Sequence, residues 1–160
     1  MYLLGTDEYI QYVVEKYSRM LLRTAYTIVH TTADAEDIVQ EVFLTLITKR
    51  PQLRDAEHEK AWLIRAVINR SRNLIKSKAW HNLSLDEHIP EAVDDDRSEL
   101  LSAVLSLPEK YSIPVHLYYY EGYSIAEIAQ IMKLPPATVG TRLSRARKML
   151  KDMVEGDIEV

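Results

Sequence analysis

Two runs of side chains in this sequence carry chemistry at helical spacing. Arg65, Asn69, Arg72 and Lys76 follow one another at intervals of four, three and four residues, so a helix would gather them on one face. Thr138, Thr141, Arg145 and Lys148 repeat the pattern near the C-terminus, with Arg142 at the margin of the face. Arg and Lys neutralise phosphates, and Arg and Asn also hydrogen-bond base edges, so a helix front of this composition suits a nucleic-acid groove. Asparagine is a poor helix former, which makes the mid-helix place of Asn69 more telling than its charge-bearing neighbours. Either stripe alone also fits an ordinary solvated helix face.

The distribution of charge favours the groove. The chain is formally −4, yet residues 60–81 hold six Lys and Arg without an acid, and residues 142–151 hold five without one. The rest of the chain carries nine basic residues against twenty-four acidic ones. Two basic stripes on an otherwise acidic chain imply two phosphate contacts, with repulsion discouraging contact elsewhere.

Catalytic chemistry finds little footing. There is no cysteine, which excludes disulfides, thiolate metal sites and thiol nucleophiles. His30, His58, His81, His88 and His116 are scattered, and none stands at ligand spacing with another. Asp55-x-x-His58 is the nearest approach to the repeated carboxylate–histidine pairs of a helical di-iron site. No glycine-rich phosphate loop and no Ser/His/Asp set can be picked out. The sequence therefore points to no enzyme, no metal and no cofactor.

The elements that must position the stripes are helices. Residues 7–29 give an amphipathic helix, apolar at Ile10, Val13, Val14, Tyr17, Leu21 and Ile28. Thr31, Thr32 and Asp34 offer capping groups for a second helix through about Lys49, which buries Ile38, Val39, Val42, Phe43, Leu46 and Ile47 and ends at Pro51. A loop over residues 52–57 leads to a third helix from about Glu59 to Lys78, with Leu63, Ile64, Val67, Leu74 and Ile75 opposite the first stripe. Residues 82–97 have no period, contain Pro90 and the run Asp94-Asp95-Asp96, and read as an acidic linker. Beyond it come short helices at residues 98–105 and 108–121, the second disturbed in its first turns by Pro114 and ended by Gly122. Ser124 caps a helix over residues 125–132, and a tight turn at Lys133-Leu134-Pro135 opens the last helix, to about Met153. Val139, Leu143, Ala146 and Leu150 form its apolar seam. That pair is a helix-turn-helix, around which Tyr118, Tyr119, Tyr120 and Tyr123 are expected to pack.

Several stretches resemble one family in order and spacing. Asp34-Ala35-Glu36-Asp37-Ile38-Val39-Gln40-Glu41-Val42-Phe43-Leu44 resembles the most recognisable segment of bacterial RNA polymerase sigma factors. Ala61-Trp62-Leu63-Ile64-Arg65-Ala66-Val67-Ile68-Asn69 is similar to the next. Leu107-Pro108-Glu109-Lys110-Tyr111, the run from Tyr119 to Ala129, and Thr138 to Arg147 resemble their C-terminal domain. The short length and missing middle domain resemble the extracytoplasmic-function (ECF) type.

The resemblance implies an all-α protein of two small helical domains: a region 2 bundle over residues 1–81 and a region 4 helix-turn-helix over residues 98–160, joined by the acidic linker 82–97. It implies binding to core RNA polymerase through its clamp coiled coil and flap, recognition of promoter DNA, and restraint by an anti-sigma protein. Asp37, Gln40 and Glu41 would dock on the coiled coil. Residues 53–60, with Leu53, and Asn69 would receive a base flipped from the −10 element, while Arg65, Arg72 and Lys76 hold backbone; an unpaired base can be read along its whole edge. Thr138, Thr141, Arg142, Arg145 and Lys148 would read the −35 element as duplex. A conventional dimeric helix-turn-helix regulator, acting without polymerase, is the competing reading. No apolar run approaches the ~20 residues of a membrane helix and no signal sequence stands at the N-terminus, so a cytoplasmic location is expected.

Three departures from the family stand out. Gly140 sits where Lys or Arg is common, Lys133 replaces a turn glycine, and Leu53 replaces an aromatic. A glycine in a helix interior costs about 0.8–1 kcal/mol relative to alanine.

Overall fold

A computed structural model describes residues 7–79 and 99–158, and every element among them is helical. The expected linker, residues 82–97, lies outside the described residues. The chain divides into two units. The first holds α1 (Asp7–Val29), α2 (Thr32–Lys49) and α3 (Ala56–Ala79); the second holds α4 (Glu99–Ser106), α5 (Glu109–Val115), α6 (Ile125–Met132) and α7 (Pro136–Ile158).

In the first unit α1 packs against both α2 and α3. Val13, Leu21, Ala25 and Val29 of α1 meet Ala35, Val42 and Leu46 of α2 and Leu63, Ile64 and Val67 of α3 in a fully buried core. Each large aliphatic side chain so buried contributes about 1.5–3 kcal/mol. The expected faces hold except at their edges: Ile10, Phe43, Ile47, Leu74 and Ile75 are half-buried and Val14 is exposed. In the second unit α7 is the long element on which α4, α5 and α6 pack.

A chain with four glycines must close most helices without them. His30, Arg50 and Lys133 take left-handed conformations (φ 61°, 47° and 56°) just beyond α1, α2 and α6. Their amides reach back to Tyr26 O (3.0 Å), Leu46 O (3.1 Å) and Ala129 O, which satisfies carbonyls that the helix ends would leave open. Each such residue costs roughly 1–2 kcal/mol that glycine would not. At Lys133 this is the geometry its missing glycine foretold. His30 also places Nε2 3.0 Å from Thr27 O, and burial lowers its pKa.

Two local expectations need correction. Thr31 stands at the N-cap of α2, yet its side chain makes no capping bond; the hydroxyl donates to Asp34 Oδ2 at 2.5 Å. Pro114 lies inside α5 without breaking its first turns. The irregularity follows the proline, where His116–Tyr120 widen to π spacing and Glu121 N–H bonds His116 O at 3.1 Å. Gly122 (φ 73°) then ends the helix as expected, with Tyr123 N–H donating to Leu117 O at 3.0 Å.

The start of α3 lies three residues earlier than its apolar period suggests. Asp55 Oδ1 accepts the His58 amide (2.8 Å), and His58 Nδ1 accepts the Arg54 amide (3.1 Å). The Asp-x-x-His spacing thus serves as a reciprocal cap. One turn on, Glu59 is buried, with Tyr9 Oη donating to Oε2 (2.8 Å) and Tyr17 Oη to Oε1 (2.9 Å). Burial, and then the Glu59 carboxylate, push both phenols well above the ordinary tyrosine range.

A group whose ionisation is resisted only in the folded state stabilises that state below its unfolded pKa, about 10 for tyrosine, and loses the contribution as pH rises. The first unit is therefore expected to weaken as pH rises above about 10, by at most about 1.4 kcal/mol per pH unit for each tyrosine. Urea unfolding at stepped pH should show a shallower slope for Tyr9→Phe/Tyr17→Phe/Glu59→Leu, which removes the phenols together with the carboxylate they hold, than for the native chain. Identical slopes would refute a role for these two phenols.

Candidate nucleic-acid interface

The second unit builds its exposed face around a short turn. Ser124 Oγ accepts the Glu127 amide (3.1 Å), and Glu127 Oε1 accepts the Ser124 amide (2.9 Å), a capping box that fixes where α6 begins. Ile128, Ala129, Ile131 and Met132 are buried, and the left-handed Lys133 turns the chain toward α7. Pro136 opens α7, and Pro135 O receives the amides of Thr138 (3.0 Å) and Val139 (3.2 Å). A proline suits this position, since first-turn amides have no partner within the helix.

Along α7 the seam Val139, Leu143, Ala146 and Leu150 is buried. Thr141, Arg145 and Lys148 are exposed, and Thr138 and Arg142 are half-buried. Thr141 donates its hydroxyl to Ala137 O (3.0 Å), leaving the oxygen as an acceptor on the outer face. A Cβ built on Gly140 meets nothing within 4 Å. Arg147 donates to Tyr119 Oη at 3.3 Å.

The tyrosines depart from expectation. Tyr123 is buried, but Tyr118, Tyr119 and Tyr120 are 37%, 51% and 37% exposed. The widened turn carries this run outward: Tyr118 meets Tyr119 edge-on at 4.9 Å and Tyr120 stacks on buried His116 at 5.6 Å. His116 Nε2 in turn lies 3.3 Å from Glu121 Oε1. Tyr119 and Tyr120 line an apolar groove of about 460 Å³ with Val104, Val115 and Leu150.

In the first unit Arg65, Asn69 and Lys76 are exposed on α3 and Arg72 is half-buried, opposite the buried Leu63, Ile64, Val67 and Ile68. Leu53 is half-buried on the segment before α3. Arg70 turns the other way. Its guanidinium donates to Glu41 Oε2 (3.0 Å) and Thr45 Oγ1 (2.6 Å) of α2.

On α2, Asp37, Gln40 and Glu41 are exposed. Beside them α1 and α2 frame an apolar groove of about 470 Å³, lined by Val14, Gln40, Phe43 and Leu44 among others, with Leu44 61% exposed. The sequence signal for this groove was the run Val42-Phe43-Leu44-Thr45-Leu46-Ile47, too broadly apolar for one buried stripe. Among the described residues there is no cluster of potential metal ligands and no helix long and apolar enough to cross a membrane.

Comparison with known proteins accounts for both units. Residues 13–81 match the family model Sigma-70 region 2, and residues 97–150 match Sigma-70, region 4. The chain is 27% identical over 143 residues to the ECF RNA polymerase sigma-E factor of Haemophilus influenzae, covering 76% of this chain and 75% of that one. It is 25% identical over 167 residues to the ECF RNA polymerase sigma factor SigW of Bacillus subtilis, covering 92% and 89%. In fold it is similar to the sigma factor RpoE of Bartonella quintana, solved in complex with the anti-sigma factor NepR (TM-score 0.74, 20% identity, 94% of this chain and 98% of that one). It is also similar to CnrH in complex with the cytosolic domain of CnrY (TM-score 0.68, 19% identity, 96% and 92%). The chain belongs to the sigma-70 family of RNA polymerase sigma factors, and within it to the ECF group.

Gly140→Ala is expected to stabilise the second unit by about 0.8–1 kcal/mol, because the added methyl meets open space and the helix loses its glycine. Gly140→Lys should add a phosphate contact and steepen the salt dependence of duplex binding. Chemical unfolding and salt-series binding measure the two effects. An unchanged unfolding midpoint for the alanine variant would contradict this account of α7.

Proposed function

We propose that this chain binds core RNA polymerase as an ECF sigma factor, with α7 reading the −35 element as duplex and α3 with residues 53–60 reading the −10 element as it opens. The observation that carries the division is the pairing of each basic stripe with a buried seam on the same helix. Thr138, Thr141, Arg142, Arg145 and Lys148 face outward behind a fixed helix-turn-helix. Arg65, Asn69, Arg72 and Lys76 line a single helix that no second recognition helix accompanies, which suits an unpaired strand better than a duplex groove.

Asp37, Gln40 and Glu41, beside the apolar groove of α1 and α2, offer the coiled coil of the polymerase clamp a polar rim around an apolar centre. The groove beside Tyr119 and Tyr120 offers a comparable seat to the flap. The chain works by binding and positioning, without a catalytic group or cofactor of its own, in the cytoplasm where polymerase and DNA are. An anti-sigma protein covering these docking faces would hold it idle.

Reconstitution with core polymerase on a panel of promoter fragments tests the proposal, with core binding and promoter-dependent transcripts as the expected result. Arg145→Ala should weaken −35 duplex binding by about 1–3 kcal/mol. Asn69→Ala should leave duplex binding intact and impair opening and −10 discrimination. Failure to bind core, or a homodimer held tightly on a palindromic operator without polymerase, would overturn the proposal. Equal losses of duplex binding in both variants would overturn the division between α7 and α3.

A further inference from the structure

We infer that Glu59, gripped by Tyr9 and Tyr17, is a positioning residue for −10 base selection, an inference that rests on the role proposed above for residues 53–60. Glu59 is 8% exposed and both of its carboxylate oxygens receive phenol hydrogen bonds, at 2.8 and 2.9 Å. Tyr9 and Tyr17 are themselves 5% and 4% exposed, and they stand eight residues apart, on the same face of α1 two turns along. Packing alone gives no reason for this arrangement. Burying a carboxylate carries a desolvation cost, and an apolar side chain of similar size would stabilise such a site as well or better. Directional hydrogen bonds do what apolar contact cannot: they fix the rotation and axial position of the first turn of α3.

That turn carries the segment proposed to take the base. Glu59 adjoins His58, whose ring nitrogen holds the Arg54 amide and whose own amide is held by Asp55. The amide of Glu59 also bonds Asp55 O at 3.0 Å. Residues 54–59 are thus closed on themselves by the reciprocal cap, and the two phenols of α1 tie the closed unit down. Leu53 and Lys60 flank it, and Asn69 lies on the same helix. A base pocket needs its walls held to a fraction of an ångström, since a shift of about 1 Å can cost on the order of a hundredfold in a positioned reaction.

The test uses the full chain with core polymerase. Tyr9→Phe/Tyr17→Phe/Glu59→Leu replaces the knot by apolar groups, removing the carboxylate together with the two phenols that donate to it. Thermal unfolding, core affinity and initiation rates are measured on a matched promoter, on promoters with single −10 substitutions, and on promoters with single −35 substitutions. The expected result is a folded variant that binds core normally and keeps −35 discrimination, but loses about tenfold of its −10 discrimination. Tyr17→Phe, which leaves one phenol on Glu59, should lose part of it. Unchanged −10 discrimination in the folded triple variant, or in Tyr17→Phe should the triple variant fail to fold, would overturn the inference while leaving the proposed function standing. Native protein that binds no core, or ignores −10 substitutions, would overturn both.

Discussion

A carboxylate placed inside a helical bundle constrains everything around it. Glu59 is ordered on both oxygens by phenols from α1, and an unpaired charge in that position would be untenable. Satisfying it requires α1 and α3 to meet in one register. The register then determines which side of α3 faces the core residues Leu63, Ile64, Val67 and Ile68, and so which side carries Arg65, Asn69, Arg72 and Lys76. Hydrophobic burial supplies most of the stability but tolerates small slides and rotations. The hydrogen-bonded carboxylate is the part of the packing that does not.

The same economy governs α3 and α7. Each is a helix whose buried seam fixes the direction of a working face, and in each one arginine is turned away from that face onto a neighbour. Arg70 reaches Glu41 and Thr45, and Arg147 reaches Tyr119. The Arg70–Glu41 pair is well exposed, so its stabilisation is about 0–1 kcal/mol. Its larger effect is on the electrostatic surface: it neutralises one exposed acid of α2 and one base beside Asn69. The charge that α2 presents is therefore less negative than a tally of its acids implies.

The seams were legible in the sequence because burial imposes a period, and α1, α2, α3 and α7 all show it. The capping of α6 was legible because Ser124 and Glu127 act within three residues of each other. What escaped notice was long-range or geometric. Glu59 looked like an ordinary acid at a helix start, and nothing local links it to tyrosines 50 and 42 residues away. Asp55 and His58 had the right spacing for a cap, yet the same spacing invited comparison with metal ligands. Tyr118, Tyr119 and Tyr120 read as packing around the helix-turn-helix because they alternate around a helix just before Gly122. The π-spaced turn that carries them to the surface depends on a hydrogen-bond shift that no residue type specifies.

Placing the two basic stripes on separate units has a thermodynamic consequence. On the proposed reading each stripe neutralises only a few phosphates, and the affinity of such a contact falls steeply with salt. The remainder of the chain is acidic and opposes approach elsewhere. Neither unit alone gains much from DNA, but two weak contacts held at the correct separation combine through their effective concentration. That separation is an element of the promoter, and a sigma factor meets it when core polymerase holds both units. Modest affinity within each unit thus keeps the chain off random DNA and lets assembly with polymerase decide when promoter spacing is read.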